Sequence, residues 1–171
     1  INNTINNIPK VIKFCFTKEY IYLLTSTKNE VYYCSYSAIN SLNFNNNLYT
    51  YLSGPISKKK IKTISCTSNE IILLSFAGIV YQSNDNQKNT QIMVKELLNY
   101  DISAISTGEN HFLCLGTERN DSSNYKYIFA WGENNLSKCG VENKERITKP
   151  QLLFKSENIL KISSGSYHNI I

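Results

Sequence analysis

Two histidines, five cysteines, a scatter of acids and one run of lysines are the groups in this 171-residue chain that could do chemistry. The histidines share one local pattern, Gly-x-x-His, at Gly108 to His111 and at Gly165 to His168. They stand 57 residues apart and lack the local spacing of a ligand pair, so neither predicts a metal site. A repeated imidazole hydrogen-bonded to neighbouring backbone is the simpler expectation. Cys15, Cys34, Cys66, Cys114 and Cys139 are odd in number and no two have C-x-x-C spacing. They predict reduced, mostly buried thiols, with neither a zinc site nor a disulfide framework. The acids Glu109, Glu118, Asp121 and Glu133 fall on predicted loops and read as solvated. No Gly-rich phosphate loop and no Gly-x-Ser-x-Gly is present. The chain therefore predicts no catalytic residue, no cofactor and no metal, and points to a binding module rather than an enzyme.

Lys58, Lys59 and Lys60, followed by Lys62, make the one charge run. A basic loop there suits nucleic-acid phosphates or an acidic protein, and equally a strand edge guarded by lysine. The net charge of +5 sits in the first hundred residues, where ten lysines face five acids. Asn, Lys, Ile and Tyr share AT-rich codons, so tracts such as Asn45-Asn46-Asn47 carry compositional drift. The sequons at Asn2, Asn120 and Asn135 are expected by chance in such a chain. No apolar run approaches the roughly 20 residues that span a bilayer, and no signal peptide opens the chain. An intracellular protein, cytoplasmic or nuclear and without membrane attachment, is the expectation. The first residue is not Met and the last two, Ile170-Ile171, interrupt an apolar run, which reads as a segment of a longer protein.

The elements that must position these residues repeat. Val11–Phe16, Ile61–Cys66, Ile102–Thr107 and the run at 159–164 are alternating β-branched stretches, each followed by a short polar turn and a second apolar run. Aligned on Thr17, Thr67, Gly108 and Gly165, the intervals are 50, 41 and 57 residues, a propeller-like period. A third run follows at Val31–Cys34, Ile79–Tyr81 and Tyr127–Trp131, and a less regular fourth at 48–52, 91–94 and 151–154. Gln91 to Tyr100 reads as strand plus turn, with one short helix as the alternative. Four strands per unit make a blade. The fold class is all-β: about three four-stranded antiparallel blades of an incomplete propeller, in units near 8–57, 58–98, 99–155 and 156–171. Gly108 and Gly165 are read as positive-φ turn residues. Trp131 is read as a ring buried between blades with its N–H on an acceptor.

Tyr127-Ile128-Phe129-Ala130-Trp131-Gly132-Glu133-Asn134 resembles the apolar strand ending in Trp-Gly-x-Asn that marks the regulator of chromosome condensation repeat family. Asn135 to Gly140 resembles its Gly-Gln-Leu-Gly tail, with Ser137 for the first Gly, Lys138 for Gln and Cys139 for Leu. The first hundred residues depart from the pattern. Thr17 and Thr67 replace Gly, Tyr20 and Glu70 replace His, and Cys34-Ser35 and Ser83-Asn84 stand where Trp-Gly would be. The resemblance implies a seven-bladed β-propeller that holds a protein partner on a loop face. It also implies, as an alternative, guanine-nucleotide exchange on a small nuclear GTPase, or a chromatin-associated role. Carried over residue by residue, the implied partner contacts are Glu109, Asn110, His111, Ser166, Tyr167 and His168, beside the basic candidates Lys58, Lys59, Lys60 and Lys62. The remaining blades of the parent propeller are a further expected partner.

Overall fold

The computed structural model describes residues 10–40, 49–142 and 145–171. Asn2, the Asn45-Asn46-Asn47 tract and Leu48 lie outside them. The first blade is β1 (Val11–Phe16), β2 (Tyr20–Thr25), β3 (Val31–Ser35) and β4 (Thr50–Tyr51), with a short helix α1 (Tyr36–Asn40) after β3. The second is β5 (Ile61–Cys66), β6 (Glu70–Ser75), β7 (Val80–Asn84) and β8 (Ile92–Met93). The third is β9 (Tyr100–Thr107), β10 (His111–Glu118), β11 (Lys126–Glu133) and β12 (Arg146–Ser156). A two-stranded sheet of β13 (Ser163–Ser164) and β14 (Asn169–Ile170) begins a fourth. Each sheet is an antiparallel meander in chain order.

The inner strands β1, β5, β9 and β13 adjoin one another in sequence order. Strand β6 shows how blades stack. Ile71 and Leu73 enter one apolar cluster with Tyr22, Leu24 and Val31 of the first blade. Ile72 and Leu74 enter the other, with Phe112, Leu113 and Trp131 of the third. Successive side chains point to opposite faces of a strand. A strand covered on both faces therefore reads as unbroken apolar sequence, here Ile71-Ile72-Leu73-Leu74.

Several expectations change in detail. Gln91 to Tyr100 is the two-residue strand β8 followed by a 3₁₀ turn at Lys95–Leu97. The run expected at 159–164 is a strand only at Ser163–Ser164. Strand β12 continues through Pro150, with irregular register against β11 between Ala130 and Gly132. It is the outermost strand of its sheet, where a missing N–H costs no ladder bond.

The cysteines require a correction. Cys34, Cys114 and Cys139 are free and buried, but Cys15 and Cys66 are joined in a disulfide between β1 and β5, with Cα atoms 5.7 Å apart. Spacing along the chain does not show this, because the register between neighbouring blades is offset by one residue. Cys15 lies two places before Thr17, whereas Cys66 lies one place before Thr67.

Candidate functional site

Each blade joins its first two strands through a two-residue loop, and the four loops are built alike. The N–H of Thr17 donates to Tyr20 C=O at 2.9 Å, Thr67 to Glu70 at 2.8 Å, Gly108 to His111 at 2.9 Å and Gly165 to His168 at 2.8 Å. Neighbouring loops are also tied together. Lys18 N–H donates to Ser68 C=O at 2.7 Å, and Ser68 N–H to Glu109 C=O at 2.8 Å. The result is a rim at one end of the inner strands. It borders a cleft of about 550 Å³ with Lys18, Ser68, Glu109 and Ser166 around it and Cys66 and Thr107 in its wall.

The Gly-x-x-His element is structural, and not for the reason the sequence suggests. Neither Gly108 nor Gly165 has positive φ; the glycines that do are Gly54, Gly78, Gly132 and Gly140. A Cβ on Gly108 would instead run into the His111 ring, and one on Gly165 would meet His168 Cε1 at 2.6 Å. The imidazole folds back over a backbone that must be bare. Gly132 is needed on both counts: φ is +111°, and a Cβ would meet Asn110 O at 2.6 Å. Where the ring is absent the Cβ returns. Thr17 Oγ1 accepts the N–H of Tyr20 at 3.0 Å, and Thr67 Oγ1 that of Glu70 at 3.1 Å. The units that depart from the Gly–His pattern are thus complete in another form, with a threonine hydroxyl closing the loop. Gly108→Ala should cost on the order of 1–3 kcal/mol by overpacking, and a His111→Ala background should relieve only part of it, because the added Cβ also runs into Gly165 O. Denaturant melts of the single and double variants measure the coupling.

His111 is fully buried. Its Nε2 lies 2.9 Å from Asn169 Oδ1 on β14, and Asn169 Nδ2 donates to Lys138 C=O at 2.7 Å. It ties the third blade to the fourth and does not reach the rim. Burial holds its pKa below the ordinary imidazole value of 6.5. Protonation then favours the unfolded chain. The stability His111 gives is complete above pH 6.5 and is lost as pH falls through its lower folded value. Melts from pH 8 to pH 5 should show this loss, with a smaller slope in His111→Gln. A slope identical in both proteins would contradict the assignment.

The other expected contacts divide between two ends of the molecule. Glu109, Ser166, Tyr167 and His168 are exposed on the rim side. Asn110 is half-buried and donates to Glu133 Oε2 at 2.9 Å. Lys58, Lys59 and Lys60 are exposed before β5, at the end opposite Thr67, and Lys62 donates to Ser103 C=O at 3.2 Å. The length of β5 separates the two groups by roughly 17–20 Å at about 3.3 Å per residue. Glu118 and Asp121 lie at the lysine end of their blade, engaged with Tyr127 and Ser123, so they do not join Glu109 and Glu133.

Sequence reasoning missed an acidic hollow of about 570 Å³ beside the rim, where Glu19, Glu70, Asp85 and Glu133 face Arg146. Burial pushes the Glu70 and Asp85 carboxyls up, while hydrogen bonds from Lys138 and Asn110 hold Glu133 down. Its residues come from strand ends and loops of three blades, so no local spacing announces it. Among the described residues no group of three His, Cys, Asp or Glu side chains converges as a metal site, and no helix is long and apolar enough to cross a membrane.

The hallmark around Trp131 has the geometry of an inter-blade joint. The ring is 3% exposed, stacks on Phe112 at 5.1 Å, and donates Nε1–H to Gln82 Oε1 of the second blade at 3.0 Å. Asn134 Oδ1 accepts Cys139 N–H at 2.8 Å, and its Nδ2 donates to Val141 C=O at 2.6 Å, which closes the 135–141 loop. Ser137, in place of the tail's first glycine, keeps a positive φ of 55°. Residues 127–171 match the family model described as the regulator of chromosome condensation (RCC1) repeat. Those residues, 127–171, carry the RCC1 repeat. Human WBSCR16, an RCC1-like propeller, aligns with 93% of this chain and 43% of its own at 16% identity and a TM-score of 0.69. The ectodomain of the Physcomitrella patens receptor kinase CR4 aligns with 93% and 38% at 14% identity and a TM-score of 0.57. The chain thus spans less than half of either structure, and the shared feature is the fold. No curated protein sequence matches it. The sheets and these neighbours make the fold an all-β array of propeller blades.

Proposed function

We propose that this RCC1-repeat chain is a protein-interaction module that holds a partner on the rim of two-residue loops at residues 18–19, 68–69, 109–110 and 166–167. The observation that carries the reading is the backbone chain from Lys18 through Ser68 to Glu109. It ties three of the four equivalent loops to one another while leaving their tips chemically different. Lys18, Glu109, Ser166, Tyr167 and His168 are exposed there. A rigid frame with varied tips lowers the ordering cost of binding. The neighbouring acidic hollow favours a partner that presents a lysine or arginine to it. The role is binding, not bond-making, and an intracellular setting is part of the same reading.

The test is a triple variant, Lys18→Ala, Glu109→Ala and Tyr167→Ala, in the full protein. It should lose its cellular partner while melting as the parent does. Lys58→Ala, Lys59→Ala and Lys60→Ala together, at the opposite end, should keep it. Retention by the first set and loss by the second would move the site to the basic end. Nucleotide exchange on a small GTPase would use the same rim, so a nucleotide-release assay separates an exchange factor from a passive holder.

A further inference from the structure

The contacts between inner strands follow one rule, and the disulfide obeys it. The residue two places before each loop position meets the residue one place before it in the next blade. Ser65 Oγ lies 2.7 Å from Thr107 Oγ1, joining the second blade to the third. Ser164 N–H donates to Ser106 Oγ at 3.0 Å, joining the third to the fourth. Between the first and second blades the same two positions are Cys15 and Cys66. Two hydroxyl-mediated joints and one sulfur joint occupy equivalent places.

We propose that Cys15 and Cys66 form a reversible staple, a thiol–disulfide exchange site for low-molecular-weight disulfides that locks the first blade to the second. The partner positions show that the backbones approach closely here with or without sulfur, so the reduced pair stays side by side. Their Cα separation of 5.7 Å lies in the usual disulfide range. Both residues are half-buried, and Cys66 forms part of the wall of the rim cleft, which gives a small disulfide a way in. The remaining cysteines are buried, and burial pushes the Cys114 and Cys139 thiols up, Cys139 to about 11, which keeps them poor nucleophiles.

The chemistry balances. The Cys66 thiol loses its proton, and the thiolate attacks one sulfur of the small disulfide, forming a mixed disulfide and releasing one small thiolate. The Cys15 thiolate then attacks Cys66 Sγ, forming the inter-blade bond and releasing the second. Two protein thiols are oxidised, one small disulfide is reduced to two thiols, and the two protons pass to the departing thiolates. Blade docking does not otherwise rest on sulfur: Lys13 Nζ donates to Thr63 Oγ1 at 2.7 Å and Tyr22 Oη to Asp85 Oδ1 at 2.9 Å across the same seam. Reduction therefore loosens the seam without abolishing it. None of this depends on what the rim binds.

The full chain is equilibrated in mixtures of reduced and oxidised glutathione, its free thiols are blocked with N-ethylmaleimide, and linked peptides are counted by mass spectrometry. The Cys15–Cys66 link should rise from near zero to near complete across the series and reverse on reduction. Cys34, Cys114 and Cys139 should be blocked only after unfolding. The reduced protein should melt about 5–15 °C below the oxidised one. Cys15→Ser combined with Cys66→Thr, which installs the hydroxyl pair of Ser65 and Thr107, should lose all dependence on glutathione. A pair that stays reduced in every mixture, stays linked in the most reducing one, or exchanges with the other three cysteines overturns the proposal.

Discussion

Trp131→Ala should lower the stability of the full chain by about 3–5 kcal/mol, the cost of removing a large aromatic from a packed interior. The ring fills the seam between the second and third blades and is 3% exposed. Its removal leaves a cavity against Phe112 and strips Gln82 Oε1 of its donor. Gln82 in turn donates to Glu70 Oε2 at 3.3 Å, so the loss extends to the rim side of the second blade. Trp131→Phe keeps most of the apolar contact and should cost less. Urea denaturation of the three proteins measures the order. A Trp131→Ala protein that melts as the parent does, yet loses its partner, would make the tryptophan a contact residue rather than a joint.

Residues 1–171 expressed alone should self-associate or bind a hydrophobic dye. Ile12, Phe14 and Phe16 on β1 are 51%, 58% and 50% exposed. At the repeat position of Phe14, the second blade has Ile64 at 0% and the third has Ile105 at 9%, each covered by the blade before it. At the other end Leu152, Phe154 and Leu160 are exposed. Apolar area of this extent is rarely left open on a monomer, and repeat arrays need their ends covered. Size-exclusion chromatography with light scattering and a dye titration are the readouts. A monomeric, cooperatively melting species that binds no dye would show that these faces are satisfied within 171 residues.

Much of the fold is legible in the sequence because blades repeat a local grammar. Strands β1 and β5 have the bounds that alternation assigns, and Trp131 occupies the buried place its hallmark implies. What is not legible depends on the register between blades. The Cys15–Cys66 bond, the acidic hollow and the burial of His111 each join residues more than 50 positions apart or drawn from three blades. Spacing along one strand carries no information about such offsets. Sequence points to backbone conformation as the reason for the Gly–His element, whereas the deciding force is the volume of a ring folded onto its own turn. Strand β12 passes through Pro150, which argues against a central strand but not against an outermost one.

The threonine and glycine forms of the rim loop imply a direction of change. A blade with Gly and His cannot take threonine at the glycine position while the imidazole is there, because the new Cβ and the ring claim the same space. It can lose the imidazole first, since a bare glycine tolerates any neighbour. Passage between the two forms therefore runs through an intermediate with glycine and no histidine, and the reverse journey must restore glycine before the ring. A combinatorial library at positions 108 and 111 should be rich in Gly–His and Gly–other pairs and empty of Thr–His, with Thr–other pairs scarce because a Cβ at position 108 also runs into Gly165 O.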